Sequence, residues 1–183
     1  FAVVPGSPIA YWISERLKEA FASCASINRI AMPRQGLASG DNERFMREWH
    51  EVTDAKIHRA CSSVDEALDS GKKWFPHAKG GAFRKWYGNT NLVIAFDRTN
   101  FDALAGMGNH LPSRHRYFKE GMTWTALTSG SFNGRYCNKS IFDAKGPVLF
   151  SRGEVSLNAL MALCNSSSAS MVLGILAPTL DFN

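Results

Sequence analysis

The 183 residues are 45% hydrophobic and 20% charged, an ordinary globular composition that excludes wholesale disorder, a coiled coil and a collagen-like chain. A chain of this length buries roughly 70% of its extended surface on folding, so a single domain spanning 1–183 can hold a core without metal or disulfide. The net charge of +5 is unevenly placed: residues 70–139 hold 11 basic and 3 acidic side chains, net +8, against net −2 before them and −1 after.

Ser7 and Pro8 suit the N-cap and first position of a helix. Ile9, Ile13, Leu17 and Phe21 then recur every four residues as one apolar stripe. Ser23 to Arg34 reads as a loop with a short extended piece, ending near Pro33. Turn-rich Gly36 to Asn42 leads into a predicted helix from about Glu43 to Val52. Its buried stripe would be Phe45, Trp49 and Val52, with Arg44/Glu48 and Arg47/Glu51 paired on the wet face. Ser63 to Ser70 predicts a second short helix, stopped by Gly71. From Trp74 the texture changes to aromatics, glycine and strand residues. Leu92 to Phe96 predicts a buried strand closed by Asp97 and Arg98, and Gly106-Met107-Gly108 reads as a loop. Met122 to Leu127 and Val148 to Phe150 predict further strands, with Gly130, Gly134 and Asn138 as turn residues between them. Ser156 caps a last helical region with Leu157, Leu160, Met161 and Cys164 as its stripe. Asn165 to Ser168 interrupts it, Ala169 to Leu176 resumes it, and Pro178 ends it. The order predicts an α+β fold: a mixed sheet of short strands flanked by N-terminal and C-terminal helices.

Cys24, Cys61, Cys137 and Cys164 are scattered with no CxxC, which argues against a zinc finger or redox pair and for reduced thiols in a cytoplasmic protein. No apolar run approaches the roughly 20 residues of a membrane span. The sequence opens on Phe1 and closes at Asn183 after a helix-like run, and is expected to be a piece of a longer protein.

No phosphate-binding glycine loop and no HExxH motif is present, and no metal is expected. His110 and His115 flank Pro112 without an acidic neighbour in sequence; His50, His58 and His77 stand isolated. Asp65 and Glu66, with Lys72, are a conceivable but poorly spaced nuclease set. The central basic third also holds 12 of the 21 aromatic residues, and interleaved cations and aromatics are the footprint of nucleic-acid binding. Within it, Lys79-Gly80-Gly81-Ala82-Phe83-Arg84-Lys85-Trp86-Tyr87-Gly88-Asn89 lets a backbone approach another surface closely and supplies Lys79, Arg84, Lys85 and Asn89 for phosphate or base edges. Its structural alternative is a turn and a strand whose Phe83 and Trp86 are core. An extended segment would set Arg84 beside the Trp86 indole. Arg114, Arg116 and Lys119 form a second basic stretch, alternatively a wet strand edge, and Arg135 and Lys139 complete the candidate DNA contacts.

Five stretches, in order, carry a resemblance. They are Pro5-Gly6-Ser7-Pro8-Ile9-Ala10-Tyr11-Trp12; Gly36-Leu37-Ala38-Ser39-Gly40-Asp41-Asn42-Glu43-Arg44-Phe45; Lys79 to Gly88; Phe118 to Trp124; and Asn165-Ser166 to the Leu180-Asp181-Phe182 end. Together they resemble the region after the catalytic domain in the PglX-type adenine-specific DNA methyltransferases of BREX phage defence, and in related restriction–modification methyltransferases. The resemblance implies a DNA target-recognition segment working beside the catalytic domain of the same parent chain. That domain would bind S-adenosylmethionine and carry an Asn-Pro-Pro-Tyr motif; this chain contains neither that motif nor a cofactor loop, so no cofactor is expected in it. It departs from the family pattern where His77 and Ala78 stand in place of Tyr and Asn. Double-stranded DNA is then the expected partner. The rivals are a structural or protein-interaction domain with an incidental basic face, and a stand-alone nuclease.

Overall fold

The computed structural model describes residues 4, 13–128, 130–177 and 182. Two four-stranded sheets carry the architecture. The first is antiparallel, ordered β1 (Ala31–Arg34), β8 (Val148–Ser151), β5 (Gly121–Thr123), β6 (Arg135–Cys137). The second is mixed, ordered β2 (Met46–Glu48), β4 (Leu92–Ala95), β3 (Trp74–Ala78), β7 (Ile141–Phe142), with β3 and β7 parallel. Helices α1 (Glu15–Ser23), α2 (Asn42–Phe45), α3 (Val64–Asp69), α4 (Arg98–Gly106), α5 (Leu157–Cys164) and α6 (Ser167–Leu176) complete the α+β fold.

The period-two alternation of a strand explains the unbroken apolar run at β4. Val93 and Ala95 pack on one face with Trp74, Ile57 and Val52. Ile94, with Phe96 beyond it, faces the opposite way into the main core beside Phe75. That core also takes Cys137, Val148 and Phe150, so it joins the two sheets. Aromatic edges meet faces along it: Phe96 to Tyr117 at 6.0 Å, Tyr117 to Phe142 at 5.3 Å and Phe142 to Phe150 at 5.7 Å between ring centroids. A second cluster seats α5 on the first sheet through Leu160, Met161 and Cys164 against Ala31, Met122, Trp124 and Leu149.

The expected helix from Glu43 to Val52 is corrected. Asp41 caps only the single turn of α2, and Met46 is already extended, because β2 supplies the edge partner of β4. The Arg44/Glu48 and Arg47/Glu51 pairs therefore do not form. Arg47 donates to the carbonyls of Glu43 and Met46, and Glu51 accepts from the Glu48 amide. Phe45 is buried as expected, but Trp49 lies 47% exposed under Arg59. A helix not anticipated, α4, follows β4, started by Asp97 accepting from the Asn100 amide. The expected strand from Met122 ends at Thr123. Ser63 caps α3 and Gly71 follows it at φ +66°, as expected.

The expected start of the first helix at Ser7 and Pro8 lies outside the described residues, as does the expected stop at Pro178. α1 is capped by Ser14, and Leu17 and Phe21 of its stripe pack with Val4, Ile13 and Ile175. The C-terminal helical run is broken between Cys164 and Ser167, where the two helices bend by 68°. Among the described residues no single helix is long and apolar enough to cross a membrane. All four cysteines are free thiols.

Candidate nucleic-acid interface

The basic, aromatic stretch connects β3 to β4 and is not a strand. Five of its residues hold positive φ: Gly80 at +59°, Gly81 at +113°, Trp86 at +74°, Gly88 at +128° and Asn89 at +57°. For Trp86 this left-handed conformation costs on the order of 1–3 kcal/mol, which the surroundings must offset. They do so by hydrogen bonds. Trp86 donates its amide to Gly134 at 2.9 Å, and its carbonyl accepts the Tyr136 amide at 2.8 Å, a lone parallel bridge to β6. Asn89 donates to the Ala82 carbonyl, Thr125 to the Gly81 carbonyl, and Lys85 Nζ to the Asn165 carbonyl, each within 2.9–3.1 Å.

Arg135 is the centre of that support. Its side chain has no exposed surface, and its guanidinium donates to the Arg84 carbonyl at 3.4 Å, to the carbonyl and side chain of Asn133, and to Thr125 Oγ1 at 3.3 Å. Burial pulls its pKa down from the ordinary arginine value. The expectation that Arg135 contacts DNA is corrected: it is an internal strut, and the loop above it is what it positions. Asn165, at the break between α5 and α6, is a second strut, accepting from the Gly134 amide and donating to the Gly134 carbonyl, both at 2.9 Å. Neither role shows in sequence spacing, because both depend on contacts across 31 or more residues.

Above these struts the side chains are bare. Phe83, Trp86 and Tyr87 are 57%, 52% and 66% exposed, so the alternative that placed Phe83 and Trp86 in the core is corrected. Arg84 is exposed beside them. It does not lie against the Trp86 indole, because the loop is not extended. It folds over Gly88 instead, where a Cβ would meet Arg84 Cδ at 2.7 Å.

The remaining candidates divide. Lys79 and Asn89 line a cavity of about 140 Å³ with Tyr87, His77, Arg135 and Asn138. Lys79 is half-committed inside the protein, with Nζ 2.7 Å from Asn42 Oδ1 and 4.0 Å from Asp143 Oδ2. His77 Nε2 stands 3.2 Å from buried Asp143 Oδ2. Burial opposes ionisation of Asp143, but the His77 contact, the Lys145 amide and Lys79 outweigh it and hold the carboxyl below its usual range. His77 Nδ1 and Arg135 Nε are buried without a hydrogen-bond partner. Arg116 and Lys119 line a separate hollow with Phe150 and Ser156; Arg116 sits 5.6 Å from the Phe150 ring centre, and Lys119 donates to the Ser62 carbonyl. Arg114 is exposed, and Lys139 is partly buried at φ +54°.

The nuclease set does not assemble. Lys72 donates to the Ala55 carbonyl, and Glu66 turns to Ser62 and to His58, whose Nε2 is 3.4 Å away. His58 and His77 are thus paired rather than isolated.

No protein-family model matches the chain. The adenine-specific methyltransferase PglX of Lacticaseibacillus casei (strain Zhang) is 39% identical over 191 residues, covering 100% of this chain and 16% of that protein. The adenine-specific methyltransferase BrxX of Escherichia coli O9:H4 (strain HS) is 33% identical over 186 residues, covering 100% of this chain and 15% of that protein. The chain matches a PglX-like region. It spans about one sixth of the length of these relatives.

Proposed function

We propose that this PglX-like segment recognises duplex DNA for an adenine-specific DNA methyltransferase of restriction–modification or phage defence in the cytoplasm. The observation that carries the reading is the β3–β4 loop: a backbone fixed from beneath, with Arg84 and three aromatic rings left facing outward. From Ser70 to Phe96 the sequence has five cations and no acid, and Arg84 and Lys85 of that run sit in the loop, a local charge that attracts phosphate. Arg84 can then form bidentate contacts to phosphate or guanine that a lysine cannot match. Arg114, and the unshared capacity of Lys79, Lys85, Arg116, Lys119 and Lys139, would position the backbone.

In this reading S-adenosylmethionine and the methyl transfer belong to other parts of the enzyme. The cavity beside the loop is lined by Lys79, Arg135, Tyr87, Tyr136, Asn89 and Asn138 among others, with no carboxylate to take a ribose. The test is duplex affinity of the intact protein across a salt series. Binding should weaken with salt, and Arg84→Ala should lower both affinity and the salt slope, the latter by about one unit if one phosphate contact is lost. A salt-independent affinity, unmoved by Arg84→Ala, would instead favour a protein-interaction surface.

A further inference from the structure

We propose that Trp86 and Tyr87 stack on a nucleobase that has left the duplex stack, so that the loop senses unpaired or unstacked DNA rather than only its phosphates. This rests on the DNA-recognition reading and names the form of DNA it takes. Large aromatic rings are normally drawn inward; here three of them, within five consecutive residues, stay more than half exposed. Among the described residues none of the three has an aromatic neighbour or a cation over its ring, although fourteen such contacts occur among the other described residues, ten between rings and four of a cation over a ring.

 Most of the other described rings, then, find partners; on this loop the three are held without one. The holding is active. Trp86 keeps a left-handed backbone at φ +74° because Gly134 and Tyr136 clamp its amide and carbonyl. The clamp is anchored in turn by the buried Arg135 and Asn165 side chains. A fixed backbone beneath bare rings is pre-organised for contact, since little freedom remains to be lost on binding.

Charge selects the occupant. Arg84 and Lys85 precede the two rings directly, and no acid occurs between Ser70 and Phe96, so an anionic polymer with flat apolar faces fits both features at once. A paired, stacked base offers no face to an outside ring. Only a base that is unpaired or flipped does, and adenine amino-group chemistry requires such a state.

The experiment uses the intact protein and two probes carrying 2-aminopurine. One is a matched duplex with the probe opposite thymine; the other sets the probe opposite an abasic site. Three proteins are compared: wild type, Trp86→Ala with Tyr87→Ala, and Trp86→Phe with Tyr87→Phe. Wild type is expected to quench the probe opposite the abasic site and to bind that duplex about tenfold tighter than the matched one. The double alanine variant should lose the quench and the preference while keeping the matched-duplex salt slope, and the double phenylalanine variant should retain most of both. Equal quenching by wild type and the alanine variant would overturn the proposal. So would a lowered melting temperature of the alanine variant with unchanged preference, which would show the rings docked on protein. If wild type bound neither duplex, the DNA-recognition reading itself would fail, a result distinct from loss of the preference alone.

Discussion

Two arginines near the loop divide the work. Arg84 is exposed and Arg135 is buried, and substitutions should separate them. Arg84→Lys is expected to leave the melting temperature unchanged and to weaken duplex binding by about 1–3 kcal/mol if a base edge is read. Arg135→Leu removes the guanidinium that donates to Asn133, Thr125 and the Arg84 carbonyl, and is expected to cost about 1–3 kcal/mol in denaturant-measured stability. In sequence the two are alike, because two cations beside aromatic residues cannot be told apart until burial is known. The cation-on-indole arrangement expected for Arg84 failed for a specific reason: it assumed an extended segment, and positive φ at Trp86, Gly88 and Asn89 turns the chain instead. The thiols are a further residue-scale case. Burial pushes Cys137 up to about 12 and also raises Cys61 and Cys164, while Cys24 is exposed. A native thiol-reagent assay is expected to show Cys24 reacting fast and the other three slowly.

At the scale of elements, the loop depends on how β3, β7 and the turn after β7 fit together. Asp143 accepts from His77 of β3 and from the Lys145 amide, tying the turn to the strand. Its carboxyl is held below the usual range, so the tie contributes stability above the unfolded carboxylate value of about 3.9 and loses it as pH falls through the depressed folded value. An acid titration of wild type against Asp143→Asn is expected to show the difference in stability between them shrinking below about pH 4. Gly146 packs equally closely: a Cβ there would lie 2.7 Å from the Gly80 amide nitrogen and 2.8 Å from the Ala78 carbonyl. Which elements were legible follows the same physics. β4, α3 and α5 announced themselves by an apolar run or a stripe with a cap. The helix expected from Glu43 to Val52 did not form, because pairing with β4 outweighed local helical periodicity over a short segment. In sequence Asn165 marks a helix interruption, and its second role as a strut reaches across 31 residues to Gly134.

For the whole molecule, the mixed order of short strands and flanking helices was legible as α+β, whereas the division into two sheets sharing one aromatic core was not, since it rests on long-range pairing. The charge distribution was legible at once, but not its placement: Arg84 and Lys85 lie on the loop, Arg135 is buried, and Arg116 and Lys119 line a separate hollow. With about four phosphates contacted, the log–log salt slope of duplex binding is expected near −3.6. The most direct measurement is photo-cross-linking of the intact protein to duplex DNA carrying 5-bromodeoxyuridine, followed by tryptic mapping of the adducts. Recognition of DNA through the β3–β4 loop predicts adducts on the tryptic peptide from Trp86 to Arg98, at Trp86 or Tyr87, which disappear when both are alanine. Efficient cross-linking confined to other parts of the enzyme, with that peptide recovered unmodified, would contradict it.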